Sequence, residues 1–233
     1  MKIDQYVNTK NILPAICLFF VTVISINLFP FLYSISGNPF LRFLNYGEYF
    51  IYLFMFLTTI AFVKKVEKTN VKQLFKSLGY VKTNFRKSIG WALLFILIYL
   101  SIVIGSIFIF NLNFNTEFNK WYQTRFSRLY APSFIFGIFF GSGFVEETAF
   151  RGYILTRLVP KGKLTIKKAI LPILIAGFLH AAWHWPFGFY EPTYWGLANN
   201  IGSMLVSLVT GFIMLRTRNI FGASLFHILG DIL

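Results

Sequence analysis

The chain has 233 residues, 56% of them hydrophobic and 13% charged, and a mean hydropathy of +0.64. That balance excludes an ordinary soluble domain and marks a polytopic membrane protein. A formal charge of +14 would suggest nucleic acid for a soluble protein, but here the basic residues concentrate in short loops between apolar runs, so orientation in a membrane explains them and no nucleic-acid partner is expected.

Lys2 and Lys10 precede an apolar run from Ile12 to Tyr33. The run resembles a signal peptide but is long enough to span a bilayer, and no small-residue cleavage site follows, so it reads as a retained signal-anchor helix. Cys17, the only cysteine, lies in this run and reads as a small apolar core residue. A lone cysteine excludes an intrachain disulfide and a cysteine-based zinc site. The 30 phenylalanines follow no repeat and read as lipid-facing and packing bulk.

Apolar spans follow at Leu13–Ser34, Glu48–Val63, Ile89–Leu112, Ala131–Leu158, Ala169–Pro186, Leu197–Leu215 and Ile220–Leu233. Each approaches the ~20 residues needed to cross the hydrocarbon core. Backbone groups cannot be left unpaired there, so the spans are helices, and the alternating strands of a barrel are absent from the sequence. The expected fold is all-α, a polytopic bundle of about seven transmembrane helices in one membrane-embedded domain over residues 1–233. Its motifs fall in residues 131–233. The chain stops two residues after Asp231, which leaves a truncated C-terminus or a further helix open.

Basic and less basic loops alternate. Lys64, Lys65, Lys68, Lys72, Lys76, Lys82, Arg86 and Lys87 follow the second span. Lys161, Lys163, Lys167 and Lys168 follow the fourth, with Arg157 at its edge, and Arg216 and Arg218 follow the sixth. Between them stand Arg42 alone, then Lys120, Arg125 and Arg128 beside Glu117, then Glu191. The expectation is a multi-pass cell-membrane protein with a cytoplasmic N-terminus. Val71, Leu74, Phe75 and Leu78 suggest an amphipathic helix on the inner surface within Val66–Asn84. Trp121, Tyr122, Tyr190, Tyr194 and Trp195 fit interfacial belts on the outer side.

The fourth span carries the adjacent carboxylates Glu146 and Glu147, with Arg151 four residues after the second. Carboxylates at bilayer depth are costly and mark a functional site. Glu147 and Arg151 share a helix face and can pair, leaving the other glutamate freer to serve as a general base. Gly137 and Gly141 form a small-xxx-small step that permits close helix contact, and Gly143 adds to it.

In the fifth span His180 and His184 are also four apart, a spacing that can place two imidazoles on one metal. Ala181 stands where a zincin has its glutamate, so the soluble zincin motif fails in detail. An interfacial His/Trp cluster closed by Pro186 is the plainer reading of the same residues. The last span holds His227 and Asp231 on one face, where Asp231 can orient the imidazole or position a water. At ~1.5 Å per residue, Glu147 lies ~15 Å from Arg157, His227 ~13 Å from Arg218, and His180 and His184 ~18 and ~24 Å from Lys168. Three helices thus bring carboxylates and imidazoles near mid-membrane, with His184 somewhat outward.

These residues resemble the CPBP (Abi) family of type II CAAX prenyl endopeptidases and bacteriocin-processing or bacteriocin-immunity membrane proteins. The family's Glu-Glu-x-x-x-Arg is matched by Glu146, Glu147 and Arg151, with Phe150 and Gly152 also typical. In its Phe-x-x-x-His motif His184 takes the histidine position, while His180 stands in place of the phenylalanine. Its third motif, His then Asn or Asp four residues on, is matched by His227 and Asp231. The resemblance implies an intramembrane endopeptidase that hydrolyses a peptide bond with a Glu-activated water, helped by histidines or a metal. It implies Glu146, Glu147, Arg151, His184, His227 and Asp231 as catalytic residues; His180, four residues before His184, is an auxiliary candidate by that spacing. If a metal such as zinc is used, His184, His227 and Glu147 would be its ligands; a metal-free mechanism stays open. The expected partners are a peptide or protein substrate in or near the membrane and the lipid bilayer itself. A non-catalytic bacteriocin immunity or adaptor protein is the alternative. A proton-coupled transporter is a weaker one, because the polar residues cluster in one half and no inverted repeat is visible.

Overall fold

The computed structural model describes residues 7–37, 48–124, 135–184 and 193–233. Among these residues every regular element is helical and no strand is present. After a short 3₁₀ turn at Thr9–Asn11 come α1 (Ile12–Ser36), α2 (Glu48–Glu67), α3 (Val71–Ser77), α4 (Phe85–Ile109) and α5 (Phe114–Thr124). A long helix, α6, then runs through Gly137–Glu146, Thr148–Leu155 and Thr156–Leu158; α7 (Ile166–Trp183), α8 (Thr193–Thr217) and α9 (Phe221–Ile232) complete the bundle. Phe85–Ile109, Ile166–Trp183 and Asn200–Thr217 are long and apolar enough to cross a membrane.

The helices fall where the apolar spans lie, with shifted ends. The helix at the third span begins at Phe85 rather than Ile89, because Asn84 in a left-handed conformation starts it and its Nδ2 donates to Thr217 O at 2.9 Å. The helix at the fifth ends at Trp183, with His184 as its cap. Trp185, Pro186, Tyr190, Glu191, Arg42, Arg125 and Arg128, and the Trp121, Tyr122, Tyr194 and Trp195 side chains, lie outside the described residues, and with them the aromatic belts and part of the loop-charge reading.

Helix α6 occupies the centre, touching α1, α2, α7, α8 and α9. Helices in lipid gain little from the hydrophobic effect between them and depend on close packing, which small residues allow. Gly141 lies where any Cβ would collide with the Tyr52 ring of α2, and a Cβ at Gly143 would meet the Ile228 side chain of α9. The small-residue face of α6 therefore seats α2 and α9. Phe56, Phe75, Tyr80, Phe140 and Phe144 interlock at this seam, with ring centroids 5.0–6.4 Å apart. Part of the phenylalanine excess is thus internal packing. Cys17, expected in the core, is instead exposed on α1.

Helix α3 is shorter than the amphipathic segment expected, and its apolar side faces protein. Leu74 and Leu78 are fully buried, whereas Val71 is exposed. Asn70 caps it by accepting from Gln73 N at 2.9 Å. Two polar clamps fix this corner. Arg157 at the end of α6 makes a two-pronged pair with Glu67 at 2.6 and 2.8 Å and donates to Ser77 O and Oγ. Asn219 donates to Val81 O and Thr83 O and accepts from Phe221 N at 3.1 Å, while Gly222 N donates to Ser88 Oγ. Ile220 N also donates to Gly79 O. The first N–H groups of α9 are thereby satisfied, which fixes where that helix starts and so the height of His227.

A buried Glu and His cluster as the candidate active site

Helix α6 has wide π-type turns over Gly137–Glu146 and Thr148–Leu155, on either side of Glu147. Runs of this kind are rare and gather at functional sites, because an i→i+5 turn re-aims neighbouring side chains. Here it sends the adjacent glutamates to different helices. Glu146 Oε2 lies 2.9 Å from His180 Nε2 of α7 and 3.9 Å from His184 Nε2. Glu147 Oε1 lies 2.8 Å from His227 Nδ1 of α9 and 3.3 Å from Arg151 Nη1. Glu146, Glu147, Arg151, His180 and His227 are all buried.

Arg151 is held less by Glu147 than by α8. Its Nε donates to Thr210 Oγ1 at 2.7 Å and its Nη2 to Ser207 Oγ at 2.8 Å. Ser207 Oγ is also 2.9 Å from His180 Nδ1, and Ser203 O is 3.3 Å from the same nitrogen. Helix α8 thus supports both the arginine and the imidazole. On the other flank the Tyr52 hydroxyl donates to Glu146 Oε1 across a long 3.5 Å contact. Tyr80 and Thr148 share a 2.6 Å hydrogen bond beside Glu147, and burial pushes the Tyr80 phenol above its ordinary range, so it stays protonated.

The six residues implied as catalytic, and His180, are drawn into one cluster, with two shifts in emphasis. His180 stands on Glu146, stacked edge-on against Phe150 at 4.9 Å, His184 at 4.9 Å and His227 at 5.5 Å. His184 stands outward, with its side chain 20% exposed. Asp231 approaches His227 Nε2 only to 3.9 Å. Ser203, Ser207, Thr210, Tyr52, Tyr80 and Thr148 escape a reading of charged motifs. The signal for the first three was present: polar residues at i, i+4 and i+7 draw a stripe down an otherwise apolar span.

Among the described residues, Glu146, His180 and His227 form a group whose ligand atoms all lie within 4.8 Å of one another. Two imidazoles and a carboxylate are a zinc-type donor set that leaves a position open. Ser203 and Ser207 at His180, and Glu147 at His227, supply the outer hydrogen bonds that orient such imidazoles. The residues fit a metal, through Glu146 and His180 rather than the set of Glu147 and His184 that the resemblance implies.

No curated protein and no solved structure matches the chain. Residues 128–233 match the family model described as type II CAAX prenyl endopeptidase Rce1-like. That stretch contains every residue of the cluster on α6, α7, α8 and α9, in the order and spacing of the three motifs. Over residues 128–233 the chain is therefore similar to the Rce1-like type II CAAX prenyl endopeptidases, in keeping with the CPBP (Abi) family that its motifs resemble.

Proposed function

We propose that the protein is an intramembrane endopeptidase in which Glu146 activates a water for attack on a peptide carbonyl. The observation that carries this reading is the unequal setting of the two glutamates. Glu147 turns its Oε1 to Arg151 and His227 and keeps its Oε2 buried without a hydrogen-bond partner among the described residues, whereas Glu146 faces two imidazoles, His180 at 2.9 Å and His184 at 3.9 Å. Among the described residues His184 Nε2 is buried without a hydrogen-bond partner. A buried donor or acceptor left unpaired is costly, and a water or a substrate carbonyl oxygen beside Glu146 would satisfy it.

In the proposed reaction Glu146 takes a proton from water as the water oxygen bonds to the carbonyl carbon. The carbonyl π electrons move to oxygen, and imidazole N–H groups of His184 and His227 stabilise that oxyanion. Collapse of the tetrahedral intermediate breaks the C–N bond, and Glu146 returns its proton to the departing amine nitrogen. Arg151, held by Ser207 and Thr210, keeps Glu147 in place, and Glu147 orients His227. Glu146, through one carboxylate oxygen, His180 and His227 would hold a metal that supplies Lewis-acid polarisation of the carbonyl, leaving the other Glu146 oxygen for the water.

The substrate is a peptide or protein segment presented from within or beside the bilayer. The test is hydrolysis of membrane-inserted peptides by the purified protein in liposomes, with and without chelator. Cleavage is expected. Loss of cleavage on chelation, restored by zinc, assigns the metal-assisted route, and persistence assigns the metal-free one. Folded protein that hydrolyses no such peptide under either condition contradicts the reading and favours a non-catalytic immunity or adaptor role.

A further inference from the structure

Lys82, Arg86 and Lys87 crowd the start of α4. With Asn84, Phe85 and Phe221 they line an open cleft of about 750 Å³ that shares no residue with the Glu and His cluster. Among the described residues that line it none is acidic. Three cations beside the N-terminal end of a 25-residue helix make a strongly anion-attracting corner.

A second feature of α4 continues from this corner. Arg86, Gly90, Leu93, Leu97, Ile104 and Phe108 follow steps of three, four and seven residues, so they share one face. All six are exposed. At Gly90 a Cβ would meet nothing within 4 Å, which leaves a shallow notch between the cationic end and the apolar stripe. Of the three helices able to cross a membrane, α4 is the least buried. A cationic cleft at the head of a long, unpartnered apolar stripe has the outline of a phospholipid: a charged phosphate at one end and a hydrocarbon chain along the helix. A second copy of this chain is a poor occupant, because its formal charge of +14 brings the wrong sign to the cleft.

We propose that this cleft and stripe bind one anionic phospholipid, its phosphate held by Lys82, Arg86 and Lys87 and one acyl chain laid past Gly90 along α4. The site is independent of the proteolytic reading. It also touches the catalytic frame: Phe221 opens α9, the helix that carries His227, and meets Phe85 and Tyr80 edge-on at 5.4 and 5.8 Å. Bound lipid would therefore brace the base of α9.

The test is native mass spectrometry of the full chain in neutral detergent, titrated with phosphatidylglycerol, phosphatidylcholine or inorganic phosphate. One phosphatidylglycerol should be retained, about tenfold or more tighter than phosphatidylcholine, since each basic residue near an anionic head group adds roughly a further severalfold preference. The combined variant Lys82→Gln, Arg86→Gln, Lys87→Gln should fall to the phosphatidylcholine level. The charge-matched control Lys161→Gln, Lys163→Gln, Lys167→Gln should bind as the parent does. Gly90→Trp keeps every cation and fills the notch, so it should also weaken lipid binding, and it tests the site even if the triple variant does not fold. Equal binding of the two lipids, equal loss in the control, displacement by equimolar inorganic phosphate, or unchanged binding in Gly90→Trp each overturns the proposal. So does dimerisation that the triple variant abolishes in the absence of lipid.

Discussion

His180 and His184 are four residues apart, yet they have different surroundings. His180 is sealed between Glu146, Ser203, Ser207 and Phe150, whereas His184 sits at the helix end with part of its ring exposed. His180→Phe restores the residue that the family motif carries there, but it also leaves Glu146 and Ser207 without their buried partner. Loss of a hydrogen bond to a buried carboxylate costs roughly 1.5–3 kcal/mol. The expected outcome is that His180→Phe lowers thermal stability and reduces hydrolysis, while His184→Ala and His227→Ala abolish hydrolysis at normal expression. Steady-state cleavage and thermal unfolding in detergent, measured on all three, check this. Inactive His180→Phe beside fully active His184→Ala would assign the second motif to His180 instead.

At the scale of the helix, the sequence shows where α6 must be special but not how. Two adjacent carboxylates in an apolar span signal a site from charge cost alone. The π-type turns around them have no comparable signature in the sequence. The same holds for the split between Glu146 and Glu147. A regular helix pairs Glu147 with Arg151, as found, but gives no reason to place Glu146 on His180 rather than His184. The hydroxyl stripe of α8 was legible as a pattern, and only the packing shows that it faces Arg151 and His180. Gly141 gives a direct test of the packing. Gly141→Val would push its side chain into the Tyr52 ring and displace the α2 wall of the site. Overpacking of this kind costs roughly 1–3 kcal/mol. Thermal unfolding should show that loss together with reduced cleavage, and a stable, fully active variant would mean that α2 does not need to approach so closely.

Across the whole molecule, composition and span length were enough for an all-α membrane bundle, because lipid leaves the backbone few alternatives. Helix ends were less legible, since capping by Asn84 and Asn219 depends on partners more than 130 residues away. Orientation is a separate matter that rests on charge. The alternation of basic and less basic loops predicts that Lys64–Lys87 and Lys161–Lys168 face the cytoplasm. Single cysteines introduced there into a Cys17→Ser background should react with a membrane-impermeant maleimide only after the membrane is opened. Labelling of the second loop from outside intact cells would reverse the topology. That reversal would leave the chemistry of the cluster intact, because the chemistry depends on the relative heights of α6, α7 and α9.

The central claim is that Glu146 is the base and Glu147 its structural neighbour. It is tested most directly by comparing Glu146→Gln with Glu147→Gln in hydrolysis of one membrane-inserted peptide, with folding monitored in parallel. Glutamine keeps the shape and one acceptor oxygen but cannot take a proton. General-base catalysis is worth roughly 10²- to 10⁴-fold, so Glu146→Gln should lose at least ~100-fold in kcat while remaining folded. Glu147→Gln should keep measurable turnover and lose stability, because its burden is the contact with Arg151 and His227. Full activity in Glu146→Gln, or a dead but fully stable Glu147→Gln beside it, would contradict the account.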